Sequence, residues 1–246
     1  MTVDQTHPCC AVVELRQYTL HAGQRDVLID LFDREFVDPQ ETAGMHIVGQ
    51  FRDLDDPNRF VWVRGFGGMP ERRMALETFY EGPVWAAHRD TANATMQDSS
   101  NARLLEPVLL SDEYPRLSTP RRPSADPVNT DAVVHITSCE LGAPPDERLG
   151  TFVGQVLAPA LEATGPPPVA AFVTKAARND YPQLPLRPGR VLVWVTRFGD
   201  LREQQDSQRA QEASSLWASV RIELERRTTH SPTVLRLSPT ARSQLR

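Results

Sequence analysis

The chain holds a single lysine, Lys175, among 27 basic residues, so its positive charge is carried almost wholly by arginine. Isolated surface arginines therefore say little about function. Acidic residues outnumber basic ones and the formal net charge is -5. That argues against nucleic acid as a partner, because phosphate binding needs clustered positive charge. No apolar run approaches the length of about 18 residues that a membrane helix needs, so no membrane partner is expected. Residues 1–10 are short and polar and lack the apolar stretch of a secretory signal. Cysteine is scarce: Cys9, Cys10 and Cys139 are the three present. An odd, unspaced set gives no disulfide framework and suits a reducing cytoplasm, with Cys9-Cys10 idle at the flank.

Several chemistries lack their sequence elements. There is no Cys-x-x-Cys and no His-Glu-x-x-His, and the six histidines are scattered, so no metal is expected. Gly65-Phe-Gly-Gly68 lacks the last glycine of a dinucleotide fingerprint, and no phosphate-binding loop or nucleophile elbow occurs. A haem would need an axial ligand; His88 and His135 are the inward candidates, each without a supporting motif.

What is present is strongly patterned. The length of 246 residues allows one large domain or two of about 120 residues, each able to bury a core. Residues 12–20 alternate as a strand, with Glu14, Arg16, Tyr18 and Leu20 on one face and Val13, Leu15, Gln17 and Thr19 on the other. Residues 23–36 carry an apolar stripe at helical spacing. Strands follow at 45–53 and 59–66, joined by Asp55-Asp56-Pro57-Asn58, which is turn chemistry braced by Asp53 and Arg59. A helix over 69–79 continues into 82–96, and a strand at 103–110 closes the unit. The order is β-α-β-β-α-β, the ferredoxin-like arrangement. Residues 111–130, rich in proline, serine and charge, read as a linker. The same order then repeats over 131–246, with strands at 131–141, 169–175, 190–198 and 233–237, a helix at 146–163, and one helix or two abutting helices over 201–227. The loop between its middle strands is longer and contains Tyr181-Pro182.

The repeat is also visible residue by residue. Residues 12–20 align with 133–141, and Val61-Trp-Val-Arg-Gly-Phe-Gly67 aligns with Val193-Trp-Val-Thr-Arg-Phe-Gly199. In that register Trp85 falls on Trp217, Arg89 on Arg221 and Pro107 on Pro239. The division is thus 1–110, linker 111–130, and 131–246. A lone ferredoxin-like sheet leaves one apolar face bare, and two such sheets can cover one another. The expected fold is α+β: two ferredoxin-like units paired as an intrachain pseudo-dimer. Pairing between chains into a homo-oligomer stays open.

Glu14-Leu-Arg-Gln-Tyr-Thr-Leu20, residues 49–66 and Phe79-Tyr-Glu-Gly-Pro-Val-Trp-Ala-Ala-His-Arg-Asp-Thr-Ala-Asn93 resemble the NIPSNAP family. The resemblance covers residues 12 to 110; the second half keeps the layout but few of those residues. It implies the dimeric α+β barrel fold, a superfamily that also holds cofactor-free monooxygenases, isomerases, cyclases and haem enzymes. Sites there commonly lie between the sheet and helices of one unit. Fold by itself does not give the reaction.

The second half serves as an internal control. Trp62, Trp85 and Arg89 survive in it, which favours packing or an ion pair. Glu14 becomes His135, Arg16 becomes Thr137, Tyr18 becomes Cys139, Arg64 becomes Thr196, His88 becomes Val220 and Asn93 becomes Glu225. The polar set thus concentrates in the first half. One reading is a buried ion-pair network. The other is a groove in which His88 moves a proton with Glu14 and Tyr18 as partners, and Arg64 or Arg16 holds an anionic oxygen. Trp62 and Trp85 would wall it, with Asn93, Gln50 and Arg52 reaching the substrate. The expectation is a cytoplasmic small-molecule enzyme of specialised biosynthesis that uses no tightly bound cofactor. It would rearrange, cyclise or oxygenate an aromatic or polyketide-like substrate. The alternatives are a non-catalytic ligand-binding or adaptor barrel, and a haem protein.

Overall fold

The computed structural model describes residues 10–108 and 131–246. The linker expected over 111–130 lies outside the described residues. The first unit runs β1 (Val12–Leu20), α1 (Arg25–Leu31), a π-helical turn (Phe32–Phe36), α2 (Val37–Thr42), β2 (His46–Asp53) and β3 (Arg59–Phe66). It continues with α3 (Met69–Tyr80), α4 (Pro83–Thr95) and β4 (Met96–Pro107). The second unit repeats this as β5 (Val133–Glu140), α5 (Glu147–Phe152), a π-helical turn (Val153–Leu157), α6 (Ala158–Glu162), β6 (Pro168–Thr174) and β7 (Val191–Phe198). Then come α7 (Leu201–Ala213), α8 (Ser215–Arg227) and β8 (Thr233–Pro239). The element order agrees with the sequence reading. One boundary differs. β4 starts at Met96, directly at the end of α4, because its first residues pair with the end of β1 across a register shift. The stretch 201–227 takes the second of its two expected forms, two abutting helices parted at Ser214, whose hydroxyl accepts from the Trp217 N–H and so caps α8.

The eight strands close into one antiparallel barrel in the order β1-β3-β2-β8-β5-β7-β6-β4. Closure uses two seams between the units: Phe51 opposite Pro239 on β2 and β8, and Leu105 opposite Thr174 on β4 and β6. Closing removes the free sheet edges that two separate units would expose. One strand face supplies the barrel interior, where Val13, Leu15, Phe51, Val61 and Val63 meet Ile136, Phe172, Val193, Val195 and Leu237. The other face of each sheet meets its own helices, giving two outer cores.

The pairing registers reproduce the duplication. Val12, Glu14 and Arg16 oppose Phe66, Arg64 and Trp62, just as Val133, His135 and Thr137 oppose Phe198, Thr196 and Trp194. The π-helical turns also fall at the same place in both units, a feature that periodicity alone does not reveal. Cys10 is disulfide-bonded, so it is not the idle thiol expected, whereas Cys139 is a buried free cysteine.

Gly82 joins α3 to α4 in a corner too tight for a side chain. A Cβ there would lie 2.7 Å from the Thr78 carbonyl oxygen and 3.2 Å from that of Phe79. Both are backbone atoms and cannot swing away. Gly82→Ala should cost about 1–3 kcal/mol by overpacking, read as a lower urea midpoint with an unchanged m-value.

Candidate functional sites in the two sheet–helix grooves

In the first unit, alternation along β1 points Glu14, Arg16 and Tyr18 at the helices, and β3 brings Arg64 beside them. Glu14 Oε2 accepts from Arg16 at 3.0 Å and from Arg64 Nη2 at 2.7 Å, while Oε1 accepts from Arg72 Nε at 2.7 Å. Glu14, Arg16, Arg64 and Arg72 are all 0% exposed. Burial would raise the Glu14 pKa, but Arg64, Arg16 and Arg72 together overcome it and hold the carboxyl well below its usual range. Burial likewise works against the charge of Arg16, but Tyr18 and Glu14 offset it and raise its pKa. Arg16 donates to the Tyr18 hydroxyl at 3.1 Å. Arg64 donates to the Gln40 side chain and the Tyr80 hydroxyl, each at 3.3 Å, and lies 4.8 Å from the Trp62 ring centre. Gln50, across from Trp62 on the same sheet face, is fully buried, and among the described residues neither its side-chain amide nor Trp62 Nε1 has a hydrogen-bond partner.

The structure therefore brings together Glu14, Arg16, Tyr18, Arg64 and Trp62, and adds Arg72, which the sequence reading left out. It does not bring His88 to them. His88 is half-buried at the outer edge, 3.6 Å from Glu35 and edge-on to Phe36. Trp85 packs among Phe36, Phe79 and Tyr80 as part of the core. Arg89 and Asn93 are exposed, so the face assigned inward by spacing is narrower than expected. Among the described residues its Arg89 pairs with the adjacent Asp90, at 3.5 Å, rather than in a buried ion pair. Arg52 pairs with Asp26 near the surface at 2.8 Å. The first-unit groove is also covered. Residues 175–190, between β6 and β7 of the other unit, reach across to it. Asp180 pairs with Arg72, Tyr181 is buried against Tyr80, and Leu184 and Leu186 pack on the same core.

The second unit is built on the same frame with the contents removed. The ion-pair positions hold His135, Thr137 and Thr196, and two threonines in place of two arginines leave space. A cavity of about 700 Å³ lies between β5, β7, β8 and α7, α8. Its opposite wall is polar for a related reason. α3 turns Arg72, Leu76 and Phe79 to its sheet, and the duplicate register puts Gln204, Gln208 and Gln211 of α7 in their places. This glutamine series at i, i+4 and i+7, on a helix with almost no apolar stripe, was the sequence signal available for the groove. The counterpart loop that would cover it is the short turn 54–58, which reaches only the rim, where Asp55 accepts from Arg236 at 3.0 Å.

His135 sits at the Glu14 position with its ring edge-on to Phe198, 4.8 Å between centres. Burial, with the nearby positive charge of Arg236, lowers its pKa to about 4, so it is neutral at ordinary pH. Its Nε2 is buried without a hydrogen-bond partner among the described residues, as is Nε of Arg236, its cross-strand neighbour. Trp194, Trp217 and Arg221 also line the cavity. Among the described residues no helix is long and apolar enough to cross a membrane, and no group of three or more potential metal ligands occurs.

No family model matches this sequence, and no curated protein is similar to it by sequence. Solved structures are similar over nearly the whole chain. One is a "putative monooxygenase" from Fusobacterium nucleatum, at 7% identity and TM-score 0.60, covering 93% of this chain and 92% of that one. Another of the same description, from Lactobacillus acidophilus, gives 10% identity and TM-score 0.59 over 93% of each chain. An anthrone oxidase-like protein gives 13% and 0.54 over 95% of this chain and 94% of that one. The fold is the dimeric α+β barrel, closed within one chain. A NIPSNAP family protein from Agrobacterium tumefaciens matches 42% of this chain and 94% of its own, at 20% identity and TM-score 0.37. At these identities the likeness concerns the fold of the barrel, and the chemistry rests on the grooves themselves.

Proposed function

We propose that this barrel is a small-molecule enzyme that works by proton transfer on a polar aromatic or polyketide-like substrate, in the second-unit groove. The observation that carries the reading is the open 700 Å³ cavity lined by His135, whose Nε2 lies just beneath the surface without a partner among the described residues. Trp194 and Trp217 in the lining suit a planar aromatic ring, and the glutamines of α7 suit its hydroxyl and carbonyl groups. A neutral imidazole can take a proton from a phenol or an activated carbon, with Arg236 or Arg221 beside the oxygen that becomes negative. Such an enolate leads to rearrangement or cyclisation, or to reaction with oxygen; the names of the similar barrels lean toward the last.

The first-unit groove, with His88, Glu14, Tyr18 and Arg64 as the working set, is the less direct assignment, because it needs loop 175–190 to open and His88 to move inward. A non-catalytic ligand-binding barrel is favoured by the same glutamine wall, which can recognise without reacting. Haem would take His135 as its axial ligand, and the visible absorption spectrum of the purified protein decides that. The site itself is tested by Thr196→Trp, which fills the groove beside His135. Turnover or binding of an aromatic substrate should fall by at least about ten-fold with little change in melting temperature, since the indole enters existing space. Unchanged turnover would place the reaction elsewhere.

A further inference from the structure

Two adjacent residues of loop 175–190 do unlike things in the first-unit groove. The Asp180 carboxylate pairs with Arg72, with Asn179 Oδ1 also accepting from that guanidinium at 3.4 Å. The Tyr181 ring stacks on Tyr80, 6.1 Å between centres and 29° between planes. Together they present a carboxylate and a neighbouring aromatic ring to a groove whose own contents are unbalanced. Three guanidinium groups there share one carboxylate, Glu14, within the unit. On the same sheet face, the amide of Gln50 and the indole N–H of Trp62 are buried and, among the described residues, unpartnered. A site that only needed to fold would pair these groups internally.

We propose that the first-unit groove is a second ligand site, for a small aromatic carboxylate, and that Asp180–Tyr181 fills it as a mimic supplied by the chain itself. The ligand carboxylate would replace Asp180 on Arg72, and its ring would replace Tyr181 on Tyr80. The surplus positive charge selects an anion, and the aromatic floor selects a ring. The unpartnered Gln50 and Trp62 groups can bind a polar substituent. Displacement is feasible because much of the loop is surface: Arg178, Gln183, Pro185 and residues 187–189 are exposed. The arrangement is one-sided, because the short 54–58 turn places no such pair in the other groove.

The test is calorimetric titration of the full chain with 4-hydroxyphenylacetate, comparing the unaltered protein with Asp180→Ala/Tyr181→Gly. Removing the mimic should tighten binding by at least about ten-fold, since the open form is no longer a minor population. Adding Arg72→Gln to the double variant should abolish the gain. Should that variant fail to fold by circular dichroism, Tyr80→Ala replaces it with the same expectation. Equal affinity with and without the mimic overturns the proposal. So does a gain that Thr196→Trp removes, because the ligand would then sit in the second groove. Equal gain for the uncharged analogue 2-(4-hydroxyphenyl)ethanol overturns the carboxylate assignment. None of these outcomes depends on turnover, so the fate of the second-groove reading is separate.

Discussion

Glu14→Gln should lower the melting temperature by roughly 6–20 °C, the largest stability loss expected from any single conservative change in this chain. The reason is the number of charges that one carboxylate serves. Its two oxygens accept from Arg16, Arg64 and Arg72, all fully buried. Glutamine keeps the shape but replaces one acceptor oxygen by an NH2 group that must point at a guanidinium donor. Three buried positive charges then remain with Asp180, on Arg72, as their counter-charge, and Arg16 and Arg64 lose theirs. Breaking a buried pair in this way costs about 3–5 kcal/mol, far more than an exposed pair is worth.

The same group predicts the acid limb of stability. The folded pKa of Glu14 is depressed, so the unfolded chain binds its proton first as pH falls. Its contribution is complete above the unfolded carboxylate value of about 4.3 and is lost progressively as pH drops toward the lower folded value. His135 adds in the same direction. Its folded pKa of about 4 lies below the ordinary 6.5, so the unfolded state takes up that proton between the two. Asp33 works the other way, because burial raises its folded pKa to about 6, so denaturation midpoints should change little between pH 6 and pH 5 and fall below that as Glu14 is protonated in the unfolded chain. In Glu14→Gln the part below pH 5 should flatten; an unchanged slope would mean that Glu14 is not ionised in the folded protein.

His135→Gln should reduce turnover of the proton-transfer substrate by about 10² to 10⁴, with a much smaller change in KM. Glutamine retains a hydrogen-bonding group and comparable bulk, so binding by Trp194, Trp217 and the α7 glutamines should persist. What it cannot do is accept a proton at neutral pH. The pH profile separates this role from a packing one. In the unaltered protein kcat should be flat from pH 8 down toward the His135 pKa of about 4 and fall below it. The residual activity of His135→Gln should lack that limb. If kcat were unaffected while KM rose, His135 would be a contact in a binding barrel rather than the base.

The two grooves show why an internal control read from the letters was half informative. Arginine, glutamate and tyrosine on alternate positions of β1 are conspicuous, and their loss in the second half drew attention to the first. Yet a cluster of long charged side chains fills space. Their replacement by His135, Thr137 and Thr196 is what empties the equivalent position, and an empty volume leaves no letter behind. The glutamines of α7 were the nearest visible signal, because a helix that must face a sheet rarely carries amides at its inward spacing.

Local pattern and repetition determined the element order, the two units, the alternate faces of β1 and the register that equates Glu14 with His135. These follow from periods of two and of 3.6 residues, which any chain must obey when one side of an element is buried. Closure of the barrel across β2–β8 and β4–β6 was decided by the tertiary structure, as was which groove stays open. That second outcome turns on reach. A sixteen-residue loop, 175–190, is long enough to carry Asp180 and Tyr181 onto the first unit, whereas the five residues 54–58 stop at the rim of the second. Sequence shows the two lengths but not where the loops land, because landing is set by the barrel that places each loop beside the other unit.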